Sequence, residues 1–461
     1  MGQVMMLSRI VLAAAGTFLA GAAALAQAAP PAASQLSPTA TITTPGYPAI
    51  GPADPGLRIV NSPDGKRVHL LPATLETTQW GWFDNAQAPV LRVHSGDTIV
   101  METMMHSHNQ VVPGTTIEQI RKLRTDFPGR GPHSLTGPIY IEEAQPGDVL
   151  KVTLNRIVPR AYATNFNVPG MFGEFPAVYQ DGQVKYLYLD LESMTTEFLP
   201  GVIVPLRPFP GTMAVARREP GRYSSVPPGE YAGNMDIRDF VAGAALYVPV
   251  HVPGALLWSG DSHAAQGSGE VNLTAIETAY KELNITVEVV KGTPLDFPRI
   301  ETPTSWITMG FDPDLNKAWA QAKAQTAKLL SELRPITAAQ AEILTASVSD
   351  CRVSQVVNVK KGIHCLSPKN ADDTEDMARP TAETAEYFVS HVRDADLNKA
   401  MDAASMGMIR RLETEKKIAR LDAYGLASVA MDCRVGAVSD TEKNIHCLMP
   451  KSIWVAGAGR R

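Results

Sequence analysis

A tight turn leads directly into a strand in the sequence Pro146-Gly147-Asp148-Val149-Leu150-Lys151-Val152-Thr153-Leu154. Proline, glycine and aspartate favour the turn, and the β-branched and apolar residues that follow are typical of a strand in a sandwich or barrel. The same order occurs where Ser95-Gly96-Asp97 precedes residues 98–102. Residues 284–290, Asn-Ile-Thr-Val-Glu-Val-Val, give the clearest strand of a second β-rich region, from about 243 to 290. We therefore predict an α+β fold with a β-rich core that resembles a sandwich or barrel.

The C-terminal part of the chain changes from this strand pattern to a repeated helical one. Residues 312–318, Asp-Pro-Asp-Leu-Asn-Lys-Ala, return at 394–400 as Asp-Ala-Asp-Leu-Asn-Lys-Ala, an offset of 394 − 312 = 82. The phrase Asp-Cys-Arg-Val at 350–353 returns at 432–435 with the same offset. Matches held in register indicate an internal repeat. We predict that residues near 301–369 and 383–451 are two copies of one unit, a helix pair leading into a strand hairpin, and that the second copy serves oligomer contacts.

All four cysteines lie inside this repeat, fourteen residues apart in each copy. In an oxidising compartment they are expected to form disulfides, and local symmetry favours Cys351–Cys365 and Cys433–Cys447 among the three connectivities that four cysteines allow. The alternative is a metal site built from His364-Cys365 and His446-Cys447.

The N-terminus predicts export. Arg9 precedes an apolar run from Ile10 to Leu25, and Ala26-Gln27-Ala28 supplies the small-residue pattern of a signal-peptidase site. We expect a signal peptide at 1–28, a poorly ordered leader at 29–55, and a periplasmic or secreted protein. No other stretch reaches about 18 apolar residues, so no membrane association beyond the signal peptide is expected.

Length and charge limit the organisation and the partners. A chain of 461 residues predicts more than one domain, and we place boundaries to give 56–231, 232–370 with the candidate site, and 371–461, the duplicated unit. The formal net charge is −5, and no basic region is concentrated enough to predict nucleic-acid binding. Such a surface is compatible with small neutral substrates.

Two short segments carry the residue types of a metal-assisted hydrolase. Gly233-Asn234-Met235-Asp236 supplies a carboxylate, and residues 260–270 supply Asp261, His263 and, after a glycine-rich turn, Glu270. In an extended strand Asp261 and His263 would point to the same face, because strand side chains alternate. Carboxylates and an imidazole can bind a divalent ion that activates water.

Taken in order, these segments resemble the acetamidase/formamidase family. The resemblance rests on 95–97, Gly137-Pro138-Ile139-Tyr140-Ile141-Glu142 with 146–148, 233–236, 260–264 with Gly269-Glu270, and the phrase Ser347-Val348-x-Asp350. It implies metal-dependent hydrolysis of short linear amides to a carboxylate and ammonia, on a β-rich α+β fold. It also implies a homo-oligomer, a dimer or larger.

Transferred to this sequence, the resemblance places Asp236, Asp261 and His263 around the metal, with zinc expected first and calcium or another divalent ion as alternatives. Glu270 or Glu102 would take the proton of the attacking water and return it to the leaving nitrogen. Asn234, with the backbone amides of Gly267–Gly269, would donate to the developing oxyanion.

The sequence departs from the family pattern at three places. Ser268 stands where an acidic residue is expected, and residues 132–138 differ where a pocket wall is expected. His106-Ser107-His108 is also unusual; if that segment is extended, both imidazoles face one way and could add metal ligands or bind a softer ion such as copper. A pair of satisfied loop histidines is the alternative. A non-catalytic periplasmic protein that binds a solute or a partner and keeps the metal as a structural ion is the competing function.

Overall fold

The computed structural model describes residues 59–61, 67–370, 378–436 and 442–455. The predicted signal peptide and leader lie outside these residues. The described residues belong to one compact unit. Within them, every helix is too short or too polar to cross a membrane.

Strands make up most of the elements and helices are concentrated near the C-terminus. The strands are β1 (Ile59–Asn61), β2 (Arg67–Leu71), β3 (Thr78–Trp80), β4 (Trp82–Asp84), β5 (Leu91–Val93), β6 (Thr98–Met101), β7 (Ser134–Ile141), β8 (Val149–Pro159), β9 (Tyr162–Asn167), β10 (Gln183–Tyr188), β11 (Thr195–Leu199), β12 (Val202–Pro205), β13 (Phe209–Ala214), β14 (Arg222–Ser224), β15 (Ala232–Asn234), β16 (Ala245–Pro249), β17 (Leu257–Ala265), β18 (Ile276–Thr278), β19 (Tyr280–Val290), β20 (Arg299–Glu301), β21 (Ser305–Asp312), β22 (Asp350–Gln355), β23 (Lys361–Pro368), β24 (Tyr387–Asp394), β25 (Asp432–Val435) and β26 (Lys443–Pro450). The helices are α1 (His106–Asn109), α2 (Ile117–Thr125), α3 (Leu315–Leu333), α4 (Ala338–Val348), α5 (Leu397–Glu415) and α6 (Arg420–Ala430), with a 3₁₀ turn at Lys451–Ile453.

Two large sheets organise the strands. The first has thirteen strands in the order β1-β2-β6-β19-β8-β16-β20-β21-β23-β22-β25-β26-β24. The second has nine, of which β10-β9-β18-β17-β13-β15 form one path and β7, β3 and β5 continue from β17. The strands predicted at 148–154 and 284–290 become β8 and β19, which pair antiparallel in the first sheet. The prediction of a β-rich α+β fold is therefore confirmed.

The two similar C-terminal segments have the same order of elements and pack against each other through equivalent residues. The first contains β21, α3, α4, β22 and β23, and the second contains β24, α5, α6, β25 and β26. Asn316 Nδ2 donates to Asp396 Oδ1 (2.8 Å), and Asn398 Nδ2 donates to Asp314 Oδ1 (2.7 Å). Their descent from a duplication stays a prediction.

Both predicted disulfides are present. Cys351 is bonded to Cys365, and Cys433 is bonded to Cys447, each pair joining two neighbouring antiparallel strands. The sulfur atoms are therefore not available for the alternative His-Cys metal site.

The predicted domain limits at 231 and 370 do not coincide with breaks in the sheets. β15, on one side of the first limit, pairs with β13 on the other, and β22 pairs with β25 across the second. The division into domains stays a prediction, but strands from both sides of each limit pair within the same sheet.

Replacing Asn398 with alanine tests the contact between the two C-terminal segments. The side chain accepts from Leu315 N (3.1 Å) and Lys361 Nζ (2.8 Å) besides donating to Asp314. Because these part-buried partners lose their bonds, we expect the free energy of unfolding in urea to fall by about 2 kcal/mol. Lys399→Ala, at the exposed neighbouring position, should change it by under about 0.5 kcal/mol. Equal changes in the free energy of unfolding for both variants would contradict a stabilising role of the Asn398 contacts.

Candidate metal centre and active site

The candidate site is built on β17, which lies between β13 and β18 in the second sheet. β17 carries Asp261 and His263, and Asp236 follows β15, the neighbour of β13. All three side chains are buried and converge over Gly211 on β13. A Cβ atom at Gly211 would lie 2.5 Å from Asp236 Oδ1, 2.6 Å from Asp261 Oδ2 and 2.6 Å from His263 Cε1. A glycine is therefore needed for these side chains to meet.

The backbone at Asp261 is not the extended one expected from sequence, and two other acids of the site share its conformation. Asp236, Asp261 and Glu270 have φ angles of 50°, 52° and 51°, in the left-handed region that non-glycine residues rarely adopt. His263 Nε2 nevertheless lies 3.4 Å from Asp261 Oδ1. The two side chains thus meet although the strand is locally distorted, and strain of about 1–3 kcal/mol per residue is typical of functional sites.

Two further residues complete the cluster. Glu277, on β18, places Oε2 3.3 Å from His263 Nε2 and 3.3 Å from His106 Nε2. His106 Nε2 also lies 3.0 Å from Asp261 Oδ1. The metal-binding potential of His106 was predicted, but Glu277 was missed. A single acid directly after the apolar pair Ala275-Ile276 could have indicated Glu277, because a buried carboxylate needs a partner.

His106 and His108 do not act as a pair. They lie in α1, where Ser107 and His108 have φ angles of 55° and 51°, so the segment is a left-handed turn and not a strand. His106 enters the cluster, whereas the ring of His108 lies against Trp80, with ring centroids 5.9 Å apart. The segment is therefore not extended, so the condition under which both imidazoles would face one way and bind a metal such as copper together is not met.

Several buried atoms of the cluster lack a hydrogen-bond partner in the described part of the chain: Asp236 Oδ1, Glu277 Oε2, His106 Nδ1 and both ring nitrogens of His263. Ligand atoms from three combinations of the cluster residues lie within 4.8 Å of one another: His106, Asp261 and Glu277; Asp236, Asp261 and His263; and His263, Glu270 and Glu277. Buried polar atoms are normally paired. Imidazole nitrogens and carboxylate oxygens brought together in this way fit a divalent cation of the zinc type.

The pKa values show how closely the charges are coupled. Burial raises the pKa of Asp236 and of Glu270 well above their usual values, and neighbouring carboxylates add to the effect. Burial opposes ionisation of Glu277 as well, but the charges of His263 and His106 lower its pKa to about 2. For His106, burial acts to lower the pKa, but the charge of Glu277 and a hydrogen bond to Asp261 raise it to about 9. A bound cation would supply the positive charge that protons on these groups supply in its absence.

Neutral groups orient the site. Thr212 Oγ1 donates to Asn234 Oδ1 (2.7 Å), which leaves the Nδ2 end of that amide to donate. Asn358 Nδ2 donates to Asp236 Oδ2. His133 Nε2 lies 3.6 Å from Asp261 Oδ2, and burial lowers the pKa of His133 to about 4, so it is neutral near pH 7. His133 lies in the segment where a pocket wall was expected and lines the cavity, whereas Asn358, from a distant part of the chain, was not predicted.

Glu102 is not brought to the cluster. Its carboxylate lies 3.2 Å from Arg160 Nη2 and is 36% exposed, against 4% for the Asp261 side chain. The backbone amides proposed for the oxyanion are also engaged elsewhere: Gly267 N donates to Ser428 O, Ser268 N to Met431 O and Gly269 N to Ser354 O. Of the groups predicted to donate a hydrogen bond to the oxyanion, the Asn234 side chain is the one still assigned that role.

The second C-terminal segment holds the loop that carries Glu270. Besides the backbone bonds to Ser428 and Met431, Ser268 Oγ donates to Asp432 Oδ1 (2.9 Å) and Tyr424 OH donates to Val271 O (2.7 Å). Ser268, which departs from the family pattern, is thus an anchor of this loop.

A cavity of about 110 Å³ opens onto the cluster. This volume is enough for several water molecules or a small organic molecule. Its wall includes Asn234, Asp236, Asp261, Glu270 and Glu277 from the site, together with apolar and cationic residues.

Replacing Gly211 with alanine tests the close approach. Because the new methyl group would overlap the three metal-site side chains, we expect loss of at least about 10-fold in metal affinity, measured by competition with a chelator. Far-UV circular dichroism and the urea midpoint should show that the sheet is retained. Wild-type metal affinity in a folded variant would exclude a site at this position.

Comparison with known proteins identifies the family. The model of the acetamidase/formamidase family matches residues 76–221 and 217–455. An acetamidase of Mycolicibacterium smegmatis is 27% identical over 219 residues, covering 35% of this chain and 54% of the relative, so the alignment spans about half of that protein. The crystal structure of acetamidase from Yersinia enterocolitica superimposes with a TM-score of 0.61 at 25% identity, over 69% of this chain and 96% of that one. Acetamidase from Bacillus halodurans gives 0.59 at 25% identity, over 65% and 97%. The chain belongs to the acetamidase/formamidase family.

Proposed function

We propose that this protein is a metal-dependent amidase that hydrolyses short linear carboxamides to a carboxylate and ammonia. The observation that carries the proposal is the group of buried acids and imidazoles at the bottom of a small cavity. The names of the relatives, acetamidase and formamidase, support the same reaction class.

Five residues would hold the metal: Asp236, Asp261, His263, Glu277 and His106. Their mixture of nitrogen and oxygen atoms favours zinc or a similar transition ion over calcium, which prefers oxygen alone. When bound, such an ion lowers the pKa of a water molecule and polarises the amide carbonyl.

Glu270 is the proposed proton carrier. Its side chain lines the cavity, and burial raises the pKa of its carboxyl well above the usual value, which makes the carboxylate a stronger base. A group of this kind can take a proton from water and deliver it to the leaving nitrogen. Asn234 Nδ2, held by Thr212, is positioned to donate to the substrate oxygen.

Export to the periplasm is part of the proposal. Two disulfides support it, because such bonds persist in oxidising compartments. Assembly into a homo-oligomer is proposed from the family resemblance alone.

The first experiment measures ammonia release from formamide, acetamide and longer amides by the purified protein, before and after chelation. We expect release to stop on chelation and to return when zinc, manganese or another divalent ion is added. A folded protein that retains a metal but releases no ammonia from any amide would instead favour the binding-protein alternative.

Replacement of single acids tests the assigned roles. Asp261→Asn should lower both metal content and kcat/KM, whereas Glu270→Gln should lower kcat by about 10²–10⁴-fold because the proton carrier is lost. Glu102→Gln, outside the cluster, is the matched control and should stay within a few-fold of wild type. A large loss in Glu102→Gln with an unaffected Glu270→Gln would reverse the assignment.

A further inference from the structure

One cation in the cavity wall has no role in the proposed reaction. Arg124 lies in the last turn of α2 and lines the same cavity as the metal cluster. Its two terminal nitrogens, Nη1 and Nη2, are buried and have no hydrogen-bond partner among the described residues. Burial lowers the pKa of Arg124 only to about 10, so the guanidinium is charged at neutral pH.

An unpaired buried guanidinium is unusual. Leaving charged donors buried without an acceptor destabilises the folded state unless a partner is supplied. The remaining wall is mixed. It includes the apolar residues Phe166, Phe172, Val226 and Leu273 and the acids of the metal cluster, and none of these residues accepts a hydrogen bond from Nη1 or Nη2. The missing partner is therefore expected to be a ligand that enters the cavity.

A second cation lies in the same wall. Arg130 also lines the cavity, and its guanidinium is held 4.7 Å from the centre of the Trp80 ring and 5.8 Å from that of Phe127. The acids of the metal cluster and these arginines thus give the cavity groups of opposite charge. A cavity of this kind suits a molecule with an amide group and an anionic group.

We propose that Arg124 binds a carboxylate of the substrate, so that the preferred substrates are short amides whose acyl chain ends in a carboxylate. This inference rests on the proposed amidase function. A guanidinium can donate two parallel hydrogen bonds to a carboxylate, which would orient the amide at the other end towards Glu270. Water adds to the amide carbon, the C–N bond breaks with a proton going to nitrogen, and a dicarboxylate and ammonia are released.

Succinamate and succinamide provide the matched test, because they have similar size and differ in charge at one end. We expect the wild-type protein to have a kcat/KM for succinamate at least 10-fold above that for succinamide. Arg124→Met should lower the value for succinamate by on the order of 100-fold and leave succinamide within a few-fold. Arg124→Lys should recover part of the loss, and Arg121→Met, at an exposed position of the same helix, is the control.

Binding of succinate, followed by calorimetry, separates this inference from the amidase proposal. If no amide is hydrolysed but succinate binds to wild type and Arg121→Met and not to Arg124→Met, the carboxylate subsite stands and the proposed function fails. If amides are hydrolysed with equal kcat/KM for succinamate and succinamide, and succinate binding does not depend on Arg124, the subsite is refuted and the amidase stands. Equal losses for both amides in Arg124→Met would show a structural role instead and would also overturn the subsite.

Discussion

Burial of several like charges in one small volume is the constraint on which the site depends. Asp236, Asp261 and Glu277 cannot all be ionised and adjacent without compensation, because carboxylates in a poorly solvated site repel each other strongly. His106 and His263 supply part of that compensation. The strand pairing, the glycine beneath the cluster and the left-handed backbone at the acids all keep these groups together against their repulsion. The proposed divalent cation would supply the remaining compensation.

The same constraint explains why the C-terminal segments contact the site. A loop that carries a buried acid in an unfavourable backbone conformation needs support from outside itself. Residues 424–432 provide it through hydrogen bonds to Gly267, Ser268 and Val271, and the first segment adds Asn358 at Asp236. The second segment, predicted from sequence to serve oligomer contacts, is in this structure also part of the scaffold of the candidate active site.

The sequence predicted features set by interactions between residues close together in the chain better than features set by contacts between distant residues. Local patterns predicted the strands β8 and β19 and both disulfides, because turns and closely spaced cysteines act over a few residues. Five of the six predicted site residues meet in space: Asn234, Asp236, Asp261, His263 and Glu270. Glu102 does not join them. A strand pattern predicts which side of the sheet a side chain faces, but it does not predict which neighbouring side chain it pairs with, which for Glu102 is Arg160.

The sequence alone therefore established the family, the β-rich fold and the residue types of the centre, since these follow from short motifs and periodic patterns. Tertiary structure established which of those residues meet. Glu277, His133, Asn358 and Arg124 belong to separate elements, and only the pairing of β17 with its neighbours and the folding of α1 and α2 around the cavity bring them to one place. Their convergence depends on contacts between residues far apart in the chain, and the free energy of those contacts is not encoded in any local pattern.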